Sequence, residues 1–278
     1  MVGPPIKEVR IVRVGASVDG AALVAAVGRP EWAGLVRPLK RDTRTAVFHG
    51  LAQAPVGTVD VVVKCLRLDG ARVRLGALVG RTRLSRQWRG AERLARAGIE
   101  TARPLVLVRG VDASDERVEA LILEWSVGTT MLHEAAQSAH ATTTGGARCD
   151  VRREHVLAQE AGRLVGRLAR AGIFNRDHKA SNVIVRWEDE RPVLTLIDPV
   201  GIRRARAGGE TAMLAKLVIE CLGVGVLPRR GLLMRALMGC AAELGRDERW
   251  RKRTWRVVES VIVAHGDPRP KDDPLAAG

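Results

Sequence analysis

Tyrosine is missing from this chain of 278 residues, and phenylalanine occurs only twice. The core must therefore be built from leucine, valine, alanine and the six tryptophans. Long apolar runs are missing too. The N-terminus has no apolar signal region, and no window approaches the ~18–20 uninterrupted apolar residues of a membrane span, so neither a signal peptide nor a span is expected. The most apolar stretch, Leu214–Leu227, is broken by Lys216 and Glu220 and reads as a core helix. Cys65, Cys149, Cys221 and Cys240 are too scattered for a zinc site or a redox pair. They read as core residues or as free thiols of a reducing cytosol. No helix-turn-helix, zinc or RNA-binding signature is present, so nucleic acid is not the expected partner.

What the chain has in excess is positive charge. Its 46 basic residues against 31 acidic ones give a net charge of +15, which draws the protein to anionic partners such as lipid head groups or phosphorylated sugars. The densest basic stretches are Arg67–Arg89, Arg203–Arg206, Arg229–Arg235 and Arg246–Arg256. In the last, W-R-K-R-T-W-R sets two tryptophans among cations, which suits either a membrane interface or a solvated helix with its indoles in the core. A hydrophobic content of 46% with mean hydropathy −0.03 argues for a soluble globular protein. The length suits one bilobal domain or two small ones.

The chemistry is concentrated in I-F-N-R-D-H-K-A-S-N-V-I-V at 173–185 and L-T-L-I-D-P-V-G at 194–201. An acid, a lysine two places on, an asparagine five places on and a second acid after one hairpin are the parts of phosphoryl-transfer machinery. Asp177 would take the proton of the attacking hydroxyl, and Lys179 would neutralise charge on the phosphate in flight. Asn182 and Asp198 carry the hard oxygens that Mg²⁺ prefers. A strand at Asn182–Arg186, a turn at Glu188–Arg191 and a strand at Val193–Ile197 would form the hairpin that unites them.

Upstream, T-V-D-V-V-V-K-C-L at 58–66 buries one lysine in a β-branched run. That is costly unless an anion meets it, so Lys64 is a candidate to hold the α- and β-phosphates of ATP. Glu92 is the only acid between Ala71 and Ile99, in a helical stretch over Ser85–Ala97, and is the candidate partner for Lys64. A strand pair, Thr101–Arg109 and Val118–Leu123, leads into L-I-L-E-W-S-V-G. This strand end resembles the hinge between kinase lobes, which implies that backbone groups of Glu124, Trp125 and Ser126 bond the adenine edge and that Gly128 frees the chain to turn; a buried strand followed by a loop fits the same residues.

In order, these are a lysine strand, an acidic helix, a hinge, a helix, a catalytic loop and a metal aspartate. Over about 35–245 the chain resembles the protein-kinase-like superfamily. Within it the chain is most similar to the bacterial lipopolysaccharide kinases, on R-A-G-I-E-T-A-R-P at 96–104, the L-I-L-E-W hinge, the catalytic loop and L-I-D. The resemblance implies an α+β bilobal fold, with a small antiparallel-sheet N-lobe carrying one helix and a mostly helical C-lobe. It implies ATP and Mg²⁺ as cofactors, and a Kdo or heptose hydroxyl of the lipopolysaccharide core, a sugar or glycolipid, as acceptor. It also places the protein in the cytoplasm, with peripheral contact on an anionic inner membrane.

The departures are specific. Asn175 stands where histidine usually opens the catalytic loop, and His178 stands where an apolar residue is common. The asparagine at 182 is closer to ordinary protein kinases. Asp198-Pro199-Val200-Gly201 replaces D-F-G, and Pro199 disfavours a large flip. The phosphate loop, K-R-D-T-R-T at 40–45, has no glycine, so Lys40, Arg41 and Arg44 would cover phosphates with side chains. This leaves a nucleotide-binding pseudokinase scaffold as an alternative. A serine/threonine protein kinase is a second, opposed by the short stretch between Asp198 and the next helix. An acidic brace for the catalytic loop would be Glu210 or Glu220.

The expected organisation is an N-terminal extension at 1–34, an N-lobe at 35–122, and a hinge and C-lobe at 123–265. A disordered tail over 266–278 follows. Ser138–Cys149 is expected as a flexible loop. Helices are expected at Arg153–Ala171, 209–225, 229–245 and 247–264.

Overall fold

The computed structural model describes residues 6–265 except 17, 30, 31, 33, 34, 56, 113 and 145–150. It divides into two compact units, residues 1–94 with 101–126 and residues 95–100 with 127–278.

The first unit is an antiparallel six-stranded sheet in the order β1-β5-β6-β4-β3-β2. Its strands are β1 (Lys7–Val14), β2 (Arg37–Arg41), β3 (Thr45–Ala54), β4 (Gly57–Arg67), β5 (Pro104–Val111) and β6 (Arg117–Glu124). Among the described residues, helices α1 (Gly20–Val27), α2 (Ala71–Leu78) and α3 (Arg83–Arg96, up to Leu94) belong to this unit. The period of two along β4 explains its packing. Val61, Val63 and Cys65 join Leu23, Ala26 and Val27 of α1 in one core. Val62 and Leu66 join Leu84 and Trp88 of α3 in the other. Lys64 falls in step with the second set.

Residues 1–34, expected as an extension, are therefore in part integral to this unit: β1 pairs with β5 and α1 seals one face of the sheet. Helix α3 is fixed by Thr82. Its hydroxyl accepts the N–H of Ser85 as an N-cap and donates to the buried carboxylate of Glu119 on β6. Glu119 also receives two guanidinium N–H bonds from Arg109, so the buried charge is paired.

In the second unit β7 (Thr129–Thr130), β9 (Val183–Glu188) and β10 (Arg191–Leu196) form one small sheet. β8 (Ile173–Asn175) and β11 (Ile202–Arg204) form another. Among the described residues five helices accompany them: α4 (Met131–Thr144), α5 (Val151–Arg170), α6 (Gly209–Gly223), α7 (Arg230–Glu243) and α8 (Glu248–His265). Helices α5 and α7 approach closely because they meet at glycines. A Cβ at Gly162 would lie 1.8 Å from the Ala236 carbonyl oxygen, and one at Gly239 would lie 2.2 Å from that of Gln159.

The stretch expected as a loop from Ser138 is helical through Thr144. Its alanines carry the helix beyond the point where the small polar residues suggested it would stop. The rest of that stretch, with Cys149, and the tail from Gly266 lie outside the described residues. Cys65, Cys221 and Cys240 are buried free thiols, each pushed up to about 12 chiefly by burial. Among the described residues no helix is long and apolar enough to cross a membrane.

Candidate active site

The hairpin expected after the catalytic loop is present. β9 and β10 pair from Val183↔Leu196 to Glu188↔Arg191, and the turn is closed by Asp189 at a positive φ of 54°. At its open end the Ile197 N–H donates to the carbonyl oxygen of Asn182 at 2.9 Å. That bond joins the two stretches carrying Asn182 and Asp198. The side-chain nitrogen of Asn182 donates to the Asp177 carbonyl at 3.0 Å, which commits the amide's donor end to the loop and leaves its oxygen as the end that could hold a metal. Asp198 adopts a left-handed conformation, φ 56° and ψ 52°, an uncommon one for a non-glycine residue and one that collects at functional sites.

Asp177 is gripped by the preceding residue. Arg176 places Nε 3.1 Å from Oδ1 and an Nη 3.0 Å from Oδ2, and this hydrogen-bonded charge holds the carboxyl below the usual aspartate range. Burial opposes the shift; Arg176 and Lys216 add to it through their charge. Lys179, exposed, donates its backbone N–H to the Asp177 carbonyl at 3.0 Å and accepts that of Asn182 at 3.0 Å. Asn175 is buried, and its side-chain oxygen accepts the Asp177 N–H at 3.1 Å, so it supports the loop without titrating. The brace is Glu220: its carboxylate takes the Ser181 N–H at 2.7 Å and the Ser181 hydroxyl at 2.6 Å. Glu210 does not hold that place.

His178 is fully buried with both ring nitrogens unpartnered, and burial lowers its pKa to about 4. It fills the expected apolar position as a neutral ring. In the unfolded chain it takes a proton below about pH 6.5, whereas the folded chain resists protonation down to about 4, so stability falls as pH drops through that window. Thermal melts should show a loss of about 2 kcal/mol between pH 7.5 and 5 that His178→Leu largely removes.

In the first unit Lys64 is half-buried, and its Nζ donates to Gln87 Oε1 on α3 at 3.3 Å. Gln87 is thus a partner of Lys64 that the expectation of Glu92 did not include. Residues 84, 87, 88, 91 and 94 form the buried face of α3, whereas the Glu92 carboxylate accepts Trp88 Nε1 at 2.7 Å and pairs with Arg13 at 3.7 Å. Gln87→Leu preserves shape and removes the acceptor. It should raise the KM for ATP on the order of tenfold with an unchanged melting temperature.

At the hinge, the Glu124 N–H is donated to the Arg103 carbonyl and the Trp125 N–H to that of Asp60. Those two donors serve the sheet unit itself. The Trp125 ring lies 4.1 Å from that of His49, and His49 bonds Asp60 at 2.7 Å. In the second unit Gly128 has φ 137°, and a Cβ there would lie 2.3 Å from the Val185 carbonyl oxygen, so only glycine fits.

The glycine-free turn between β2 and β3 is closed by Asp42 instead. Its carboxylate accepts the Thr45 hydroxyl and the N–H groups of Arg44 and Thr45, which lower its pKa to about 2. Arg44 is exposed on this turn. Signals for Gln87 were present in the helical period and for Asp42 in its turn chemistry. A search for acids and glycines passes over both.

Residues 70–206, a little under half of the chain, match the family model described as Lipopolysaccharide kinase (Kdo/WaaP) family. No curated protein matches the chain. The solved structure of WaaP in complex with acyl carrier protein superposes with a TM-score of 0.54 at 18% identity, over 85% of this chain and 95% of the matched one. That likeness gives a kinase-like fold. Since 1267 solved chains match, the fold by itself names no substrate.

Proposed function

We propose, for an ATP-dependent kinase whose residues 70–206 match the lipopolysaccharide kinase family, that the acceptor is a sugar hydroxyl, Kdo or heptose, of the lipopolysaccharide core. The phosphoryl donor is ATP with Mg²⁺, and the reaction runs at the cytoplasmic membrane face. The observation that carries this reading is the single hydrogen-bonded loop holding Asp177, Asn182 and Ile197-Asp198 together.

In the proposed reaction Asp177 accepts the proton of the sugar hydroxyl as its oxygen bonds the γ-phosphorus. The bond from that phosphorus to the β-phosphate oxygen breaks, and ADP departs. Lys179 screens charge on the transferring group. Lys64, steadied by Gln87, binds the α- and β-phosphates, Ser126 meets the adenine edge, and Arg44 covers the phosphates from its turn. The Asn182 side-chain oxygen and the Asp198 carboxylate are hard oxygens of the kind that would hold Mg²⁺. When bound, it supplies neutralisation of phosphate charge.

A peptide acceptor is disfavoured by the short segment 199–208. Arg176 N–H donates to the Gly201 carbonyl and Ala205 N–H to that of Gly172, which ties this segment to the catalytic loop at both ends.

A cavity of about 650 Å³ in the second unit favours an additional ligand. Leu157, Leu214, Val218, Leu233 and Trp255 are among its lining. Its size and apolar walls suit an acyl chain, and WaaP was solved with an acyl carrier protein. The placement of Trp255 at this cavity turns one of the two tryptophans of 250–256 inward. Mass spectrometry of the purified protein should find a bound acyl group.

The main reading is tested by incubating the protein with γ-labelled ATP, Mg²⁺ and host membranes beside an Asp177→Ala control. Label in the glycolipid fraction, lost in the control, supports it. Label in protein moves the activity to protein kinases, and ATP bound without any label, with soluble sugars also tried, makes the chain a pseudokinase.

A further inference from the structure

Helix α2 has its apolar side chains on the wrong side for a water-soluble surface. Of its residues only Ala77 is buried, while Leu75, Leu78 and the following Val79 are 63%, 80% and 57% exposed. The helix is nonetheless firmly ended. Gly80 at φ 65° donates to the Ala77 carbonyl, and the Arg81 N–H reaches back to that of Gly76 at 2.6 Å, the double bond of a left-handed helix stop. Arg74 Nε bonds the Leu68 carbonyl at its base, and an Arg89 guanidinium N–H bonds the Gly80 carbonyl at its end. A short helix held this way presents its leucines by construction.

Along residues 71–91 every charged side chain is an arginine. Arg72, Arg81, Arg83 and Arg86 are all exposed, and the single acid between Ala71 and Ile99, Glu92, is engaged by Trp88 and Arg13. Exposed apolar side chains rimmed by arginines combine the two signals that hold a peripheral protein on an anionic bilayer: insertion at the acyl boundary and attraction to head-group phosphates. Long arginine stems can reach the phosphates while leucines insert.

We propose that α2 and the turn after it form a membrane-docking element that seats the chain on an anionic lipid surface through Leu75, Leu78 and Val79, with Arg72 and Arg81 meeting the phosphates. The proposal deepens the reading of a lipid-linked acceptor, but its readout needs no phosphoryl transfer, so the two can fail separately.

The test is flotation of the full chain with vesicles of phosphatidylcholine alone or mixed equally with phosphatidylglycerol, beside Leu75→Ser/Leu78→Ser and Arg72→Glu/Arg81→Glu. Both pairs change exposed side chains, and unchanged melting curves verify that the fold is kept. Wild type should float with the anionic vesicles and lose binding as salt rises, and each double variant should bind at least about tenfold more weakly. Absence of wild-type flotation, or equal flotation of the leucine variant, overturns the proposal. So does sedimentation showing that wild type is a dimer and the leucine variant a monomer, which would make the patch a contact between two copies.

Discussion

Asp177→Asn should lower phosphoryl transfer on the order of a thousandfold while ATP binds with near-normal affinity. The side chain keeps its shape, and the backbone bonds that frame it are untouched: Asp177 N–H to Asn175, and Asp177 carbonyl to Asn182 and Lys179. What is lost is the ability to take a proton. The bidentate grip of Arg176 already keeps this carboxyl ionised well below neutral pH. The acid limb of kcat/KM from this group therefore lies below the ordinary aspartate range, and Arg176→Ala should move it to higher pH. The direction is set by linkage: a partner that favours the charged form depresses the pKa, and removing it restores proton affinity. Single-turnover transfer measured beside equilibrium ATP binding separates the two effects. A variant that retains the wild-type rate would remove Asp177 from the chemistry.

The parts legible in the sequence were those whose spacing is dictated by a short, rigid connection. Between Asp177 and Asn182 lies one loop, and between Asn182 and Asp198 one hairpin, so residue order alone brings their stretches together. The helices over Val151–Arg170, Gly209–Gly223, Arg230–Glu243 and Glu248–His265 fall within a few residues of the expected limits, because each buries a face with a helical period or ends at glycine. The family resemblance, taken from the same motifs, agrees with the match over residues 70–206.

Other features were hidden for identifiable reasons. An acid was sought for Lys64 because opposite charge is the usual partner of a buried lysine, and Glu92 was the only one offered. The structure adds the neutral Gln87, five residues nearer the N-terminus, because the buried face of α3 is set by Leu84, Trp88, Ala91 and Leu94 rather than by charge. β1 reads as a β-like run over Val9–Val14, but none of its positions is fully buried, so nothing in the run marks its pairing with β5. Helix α2 gives no inward stripe at all, since its leucines face out. A pattern search looks for apolar residues that face inward, and here they do not.

Gly201→Ala should cost on the order of a hundredfold in kcat with little change in the KM for ATP. This glycine has no positive φ to defend; its constraint is contact. A methyl group there would lie 2.7 Å from Asp177 Oδ2, 2.8 Å from Asp177 N and 3.0 Å from Asn175 Oδ1. None of these atoms is the loose end of a flexible chain. The carboxylate is clamped by Arg176, and the amide nitrogen and the Asn175 oxygen are bonded to each other. The Gly201 carbonyl in turn receives the Arg176 N–H, so the glycine cannot back away without loosening the loop it abuts. The added methyl must displace the Asp177 carboxylate by several tenths of an ångström, at a stability cost of about 1–3 kcal/mol for overpacking. Transfer rate and melting temperature measured on the same preparation distinguish a displaced base from a general loss of folded protein. A variant with full kcat would show that the working position of Asp177 lies away from Gly201.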